Sequence, residues 1–264
     1  MNGCMGRFAT TAALYERLRP PYPAAFFQRV AQQLRLSTQQ SLIDLGTGPG
    51  LLALGFAPHV GCVVGVDPEP AMLAAAREAA AAAGHAVMLI DGKAEDLPAD
   101  IGQFEVVTIG RALHWMERTA TLSALERLLA PDGAILICTS ASVADGRNPW
   151  LDIHNAARVA WAQDGPIPLG GRSARLHREL AAFLDGSRFR EAETIKVEAS
   201  HMISVGDLAR RVLTYSSSSP ALLGDKVGTM LADVEARLAP FADNGQIREV
   251  VVATAQIVRQ MDRR

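Results

Sequence analysis

The run Ser41-Leu-Ile-Asp-Leu-Gly-Thr-Gly-Pro-Gly50, with Val63-Val-Gly-Val-Asp67 after it, constrains the fold more than any other stretch. Two short apolar runs each end in an acid, and the first passes at once into alternating glycines. That is the sequence of a buried strand, a sharp turn into a helix, and a second buried strand. Glycines let a main chain lie close to a ligand and take positive φ where the turn demands it. An acid ending the second strand accepts hydrogen bonds from both hydroxyls of a ribose. The pattern predicts a bound nucleoside.

Spacing narrows the nucleoside. A dinucleotide fingerprint reads Gly-x-Gly-x-x-Gly, with a pyrophosphate seated on a helix N-terminus. Here Gly46, Gly48 and Gly50 run Gly-x-Gly-x-Gly, and Leu51 stands where the third fingerprint glycine belongs. Asp44 precedes the loop, where it repels a pyrophosphate but attracts the ammonium of an amino acid. A ribose joined to a zwitterionic tail fits: S-adenosylmethionine. On these residues the chain resembles the class I methyltransferases, in particular the small-molecule group called type 11. Gly110-Arg-Ala-Leu-His-Trp-Met116 adds a resemblance to the trans-aconitate methyltransferases within it. The resemblance implies a Rossmann-like, doubly wound α/β fold. Its sheet is mostly parallel and seven-stranded, with helices on both faces and a small helical cap.

The order of elements agrees. Helical signals at Ala24–Leu36, Leu51–Phe56, Pro70–Ala83 and Leu122–Leu129 alternate with strand signals at Ser41–Leu45, Val63–Val66, Ala86–Ile90, Phe104–Ile109 and Ala134–Thr139. Pro70 opens its helix and Gly84 follows its end, the usual punctuation. After Ser140 the rhythm changes, with a helix expected over Trp150–Gln163 and loops around it. A sixth strand is expected over Thr194–Glu198, and helices over Asp207–Tyr215 and Ala221–Ala239. Ile247–Val258 reads equally as strand or helix. The expected organisation is a lid and cofactor-binding core over 1–140, a helical cap over 141–188, and the rest of the core with substrate-pocket helices over 189–264.

The resemblance also distributes roles. The cofactor contacts it implies are Asp44, Gly46, Thr47, Gly48, Gly50, Asp67, Pro68, Met72, Ala94, Glu95, Arg111 and Ala112. Met72 packs on adenine or ribose, and the Ala94 amide meets the ring. Glu95, or Asp96 beside it, accepts from the exocyclic amine, since Lys93 stands where many relatives have an acid. His114 either takes a proton from the acceptor or only anchors the following helix, and Trp115 is expected to pack. Tyr15-Glu-Arg-Leu-Arg-Pro-Pro-Tyr-Pro23 matches the family's lid. There Tyr15 turns its ring to the sulfonium, and Arg19 pairs with a carboxylate of the cofactor or of an acidic acceptor. Tyr215 and Ser216 are candidate acceptor contacts. Trp150, His154 and Trp161 share one helix face and are read as docking the cap.

Composition sets the remaining bounds. A net charge of -2 over 264 residues carries no electrostatic footprint for nucleic acid or an anionic membrane. The acceptor is therefore expected to be a small molecule. Cys4, Cys62 and Cys138 are scattered and read as reduced core thiols of a cytoplasmic protein. No apolar run reaches the roughly 20 residues that span a bilayer. The six histidines are dispersed, and no metal site is expected. A nicotinamide-dependent oxidoreductase and a non-catalytic S-adenosylmethionine-binding protein are the alternatives.

Overall fold

The computed structural model describes residues 18–163 and 179–261. Its strands are β1 (Ser41–Leu45), β2 (Cys62–Asp67), β3 (Met88–Asp91), β4 (Phe104–Gly110), β5 (Leu129–Ser142), β6 (Phe189–Ser204) and β7 (Gln246–Gln260). They form one sheet in the order β3-β2-β1-β4-β5-β7-β6. The pairings β1–β2, β1–β4, β2–β3 and β4–β5 are parallel. The helices among them are α1 (Ala24–Leu34), α2 (Leu51–Phe56), α3 (Pro70–Ala83) and α4 (Arg118–Leu128). Strand order reverses direction between β1 and β4, so the loops leaving their carboxyl ends diverge and open a crevice there.

The chain divides into two compact units. One comprises residues up to Pro21, Ser140–Gly170 and Glu198–Val252; the other comprises Tyr22–Thr139, Gly171–Val197 and Ala253 onward. In the second unit, neighbouring strand residues point to opposite faces. Ile43, Leu45, Val64, Val66, Val107 and Ile109 enter one core. Leu42, Val63, Val106 and Leu136 enter another, with Phe26, Phe27 and Phe56. Both faces are covered, which is why these strands are apolar throughout and do not alternate. The first unit has its own core around Trp150, Leu208, Val212, Met230 and Val234.

Several elements differ from expectation. The helix expected over Ala221–Ala239 is broken into α6 (Pro220–Leu223), a 3-10 turn at Gly224–Lys226 and α7 (Val227–Leu238). Gly224 takes φ 52 and ψ -127, a conformation that essentially only glycine holds, and it ends the first piece. The ambiguous Ile247–Val258 is strand, inside β7, where its β-branched residues pack on a sheet. The sixth strand is longer than Thr194–Glu198, and the helix expected at Trp150–Gln163 is α5 (Leu151–Ala160). Cys138 is a buried thiol as expected, but Cys62 is exposed, because it opens β2 at the sheet margin. Cys4 lies outside the described residues. No described helix is long and apolar enough to cross a membrane.

Candidate functional site

The glycine loop leaves β1 with Gly46, Gly48 and Gly50 at φ 68, 55 and 88, all in the left-handed region. Two of them are glycine for different reasons. A Cβ on Gly46 would stand 2.5 Å from the Ala112 Cβ, so this turn is closed against the end of β4. A Cβ on Gly48 would meet nothing within 4 Å. The main chain there faces open space. Gly50 caps α2, and its N–H donates to Thr47 O at 3.0 Å.

Asp67 ends β2 beside that open space. Its Oδ2 accepts from Gly48 N at 2.8 Å and its Oδ1 from Glu69 N at 2.9 Å. Two main-chain donors thus fix the carboxylate, and each oxygen keeps a further lone pair. Burial raises its pKa, against those two hydrogen bonds, and the charges of Glu69 and Asp91 add to the rise. Pro68 is exposed beside it. Asp44 is 1% exposed under the loop. Its Oδ1 accepts from Thr108 Oγ1 at 2.6 Å and its Oδ2 from Thr47 Oγ1 at 2.8 Å. Burial pushes its pKa up to about 6, although both hydroxyls and the Ala53 amide oppose the shift. Asp44 therefore ties the glycine loop, through Thr47, to β4, through Thr108.

Beyond β3, Ala94 is buried and opens the 3-10 turn Ala94–Asp96. Glu95 Oε1 accepts from Glu117 N at 2.8 Å and Thr121 Oγ1 at 3.3 Å, bracing the start of α4. Met72 is buried on α3. At the end of β4, Arg111 has φ 58, a left-handed backbone uncommon for a long side chain. Its guanidinium lies 5.0 Å from the centre of the Tyr22 ring. Ala112 abuts the glycine loop as described, and His114 is exposed in the 3-10 turn Leu113–Trp115. Trp115, expected to pack, is 52% exposed, with its ring 4.9 Å from that of His114.

In the first unit, Arg19 donates from Nη2 to Thr214 O at 2.7 Å, and its guanidinium lies 4.0 Å from the Tyr215 ring centre. Ser216 opens the following 3-10 turn, Ser216–Ser218. Tyr15 lies outside the described residues. Trp150, His154 and Trp161 dock α5. Trp150 Nε1 donates to Arg248 O at 3.1 Å, His154 Nε2 pairs with Leu208 O at 3.1 Å, and Trp161 Nε1 donates to Asp233 Oδ2 at 2.7 Å. Sequence reasoning missed Thr108, Tyr22 as the ring under Arg111, and Arg158. Each left a signal. Thr108 is the polar residue inside Phe-Glu-Val-Val-Thr-Ile-Gly, and Arg158 lies one helical turn past His154 on the same face.

Comparison with known proteins accords with this geometry. Residues 42–133, which hold the glycine loop, Asp67 and the end of β4, match the family model described as a methyltransferase domain. An uncharacterized methyltransferase of Mycobacterium tuberculosis is 32% identical over 128 residues, covering 48% of this chain and 49% of that protein. The chain thus spans about half the length of this curated relative. An uncharacterized methyltransferase of Schizosaccharomyces pombe is 23% identical over 211 residues, covering 80% and 78%. A similar fold occurs in a crystal structure of an S-adenosylmethionine-dependent methyltransferase from Geobacter sulfurreducens in complex with S-adenosyl-L-homocysteine. Its TM-score is 0.57 at 19% identity, covering 98% of this chain and 100% of that one.

Proposed function

We propose that the chain is an S-adenosylmethionine-dependent methyltransferase acting on oxygen or nitrogen of a small molecule, a carboxylate oxygen included. The observation that carries this reading is the open space over Gly48 beside the fixed carboxylate of Asp67. A side chain would fit at Gly48 without touching protein, and glycine keeps that space for something from outside. The donor set suits a nucleoside with an amino-acid tail: Asp67 offers paired acceptors for ribose hydroxyls, and Asp44 offers negative charge beneath the loop. That charge disfavours a pyrophosphate, and with it the nicotinamide reading.

The bound cofactor supplies a methyl group made electrophilic by a sulfonium. The protein's share is to bind, align and keep the site dry; alignment alone is worth roughly 7–11 kcal/mol of a barrier. In this reading Met72, Ala94 and Glu95 receive the adenine, with Thr47, Gly50 and Pro68 shaping the loop around the ribose and tail. Arg111 and Ala112 border the amino-acid end. His114 accepts the proton of a hydroxyl or amine acceptor, and a carboxylate acceptor needs no base. Tyr15, Arg19, Tyr215 and Ser216 belong to the lid and the acceptor side. The scattered cysteines favour a cytoplasmic enzyme.

Titration calorimetry with S-adenosylhomocysteine and with NAD tests this reading directly. Binding of the first and not the second is expected, with Asp67→Ala losing it and His114→Ala keeping it while turnover falls. Equal loss of binding in both variants would refute the division between holding and catalysis.

A further inference from the structure

Thr108 has no role in the reading so far beyond the bond it makes. It faces Asp44 across the β1–β4 pairing, and Gly65 faces Asp44 from β2. Thr108 is fully buried and donates to Oδ1 at 2.6 Å, while Thr47, 5% exposed, donates to Oδ2 at 2.8 Å. A Cβ on Gly65 would stand 3.0 Å from Thr47 Oγ1, so the bare glycine leaves that hydroxyl its place. The Ala53 amide, in the first turn of α2 where a helix N–H lacks an intrahelical acceptor, is the third donor. All three donors are neutral. Asp67 on β2 adds a like charge that opposes ionisation of Asp44. On β5 the Cys138 thiol is kept protonated by burial and by the Asp44 charge, with Arg111, just past β4, acting against them. Burial pushes the Asp44 carboxyl up to about 6, and among the donors that oppose this Thr108 acts most strongly.

We propose that Thr108 is a positioning residue for cofactor binding. Its hydroxyl keeps the Asp44 carboxylate ionised beneath the glycine loop, where the charge attracts the ammonium of the cofactor's amino-acid tail. The inference rests on the methyltransferase reading above and adds to it a residue that acts only through another. A hydrogen bond donated to a charged carboxylate favours the charged form, so removing the Thr108 donor raises the Asp44 carboxyl further and leaves it protonated at neutral pH. Protonation removes the attraction for an ammonium but leaves the ribose and adenine contacts in place. The loss is therefore confined to ligands that carry the amino-acid tail, and it is reversed by raising the pH. A role in packing alone has neither property.

Calorimetry on the whole chain between pH 5.5 and 8.5 tests this, using S-adenosylhomocysteine and methylthioadenosine, which has the same nucleoside but no amino-acid tail. In the unaltered protein, affinity for S-adenosylhomocysteine should fall more than that for methylthioadenosine as pH drops through about 6. Titration of Asp67 affects both ligands alike, since both carry the ribose. Thr108→Val keeps the side-chain shape and removes the donor. It should bind S-adenosylhomocysteine about tenfold more weakly than the unaltered protein at pH 7, with the gap closing by pH 8.5. Its affinity for methylthioadenosine should be unchanged, and Thr108→Ser should behave as the unaltered protein does. No gap at pH 7, a gap of the same size at every pH, or an equal gap for methylthioadenosine would leave Thr108 a packing residue, and the methyltransferase reading would stand. If the unaltered protein binds no S-adenosylhomocysteine at any pH, both fall. Should Thr108→Val not fold, Thr108→Cys, with its weaker donor, takes its place, and equal pH dependence of the two ligands in the unaltered protein overturns the proposal by itself.

Discussion

Gly46 and Gly48 share a loop and a positive φ, yet substitution at each means something different. A methyl at Gly46 drives into Ala112 and is a packing lesion. A methyl at Gly48 touches nothing, so its cost to the fold is the left-handed backbone alone, about 1–2 kcal/mol. Gly48→Ala is therefore expected to fold with a modestly lower Tm and to bind S-adenosylhomocysteine at least tenfold more weakly. Normal affinity in that variant would mean the space serves no ligand. Asp44 gives a prediction with the opposite sign for stability. Its carboxyl is raised by burial from 3.8 to about 6, so the folded state holds this proton more tightly than the unfolded chain. Its contribution is therefore most favourable below pH 4 and is lost as pH rises through 6. The cost at pH 7.5 approaches about 3 kcal/mol. Asp44→Asn should thus be about 1–3 kcal/mol more stable than the parent in urea at pH 7.5, show no gain at pH 4, and bind S-adenosylhomocysteine less well. An equal gain at both pH values would trace the effect to packing instead of charge.

Among elements, the 3-10 turn Arg211–Thr214 and β7 are joined by the most deeply buried ion pair described. Glu249 accepts from Arg211 at both oxygens, from Ser142 Oγ at 2.6 Å, and lies 3.2 Å from His201 Nε2. Arg211 Nε also donates to Leu18 O, tying that residue to the turn. Burial alone would raise the Glu249 carboxyl, yet these partners hold it at about 2, down from 4.5. Its contribution is complete above 4.5 and is lost as pH falls through 2. Arg211→Ala strands a buried carboxylate and is expected to cost about 3–5 kcal/mol, whereas Arg211→Met with Glu249→Leu should recover most of that. Denaturant unfolding of the three proteins compares them. A double variant no better than the single one would place the cost in lost packing around Arg211.

For the whole molecule, a ligand that binds only the folded state stabilises it by mass action, about 2.7 kcal/mol at a hundred times its Kd. S-adenosylhomocysteine at that excess should raise the Tm by several degrees, and NAD at the same concentration should not. A shift with NAD alone would return the chain to the oxidoreductase alternative. The sheet order brings together two motifs that the sequence analysis singled out separately. The reversal between β1 and β4 sets the two informative motifs, Gly46–Gly50 and Gly110–Met116, at adjacent strand ends.

What the amino-acid sequence determined by itself was local: which runs are strands, where the chain needs positive φ, and which acid ends β2. These follow from neighbours a few residues apart, through backbone sterics and the apolar demand of a sheet covered on both faces. The tertiary structure alone decided the rest. It set Thr108 against Asp44, brought Arg158 and Arg19 to one tyrosine ring, paired Arg211 with Glu249, left Cys62 and Trp115 in the open, and broke a long apolar helix at Gly224. Most of these partners are far apart along the chain. Packing selects such pairs among many residues of equal propensity, and no local pattern records the choice.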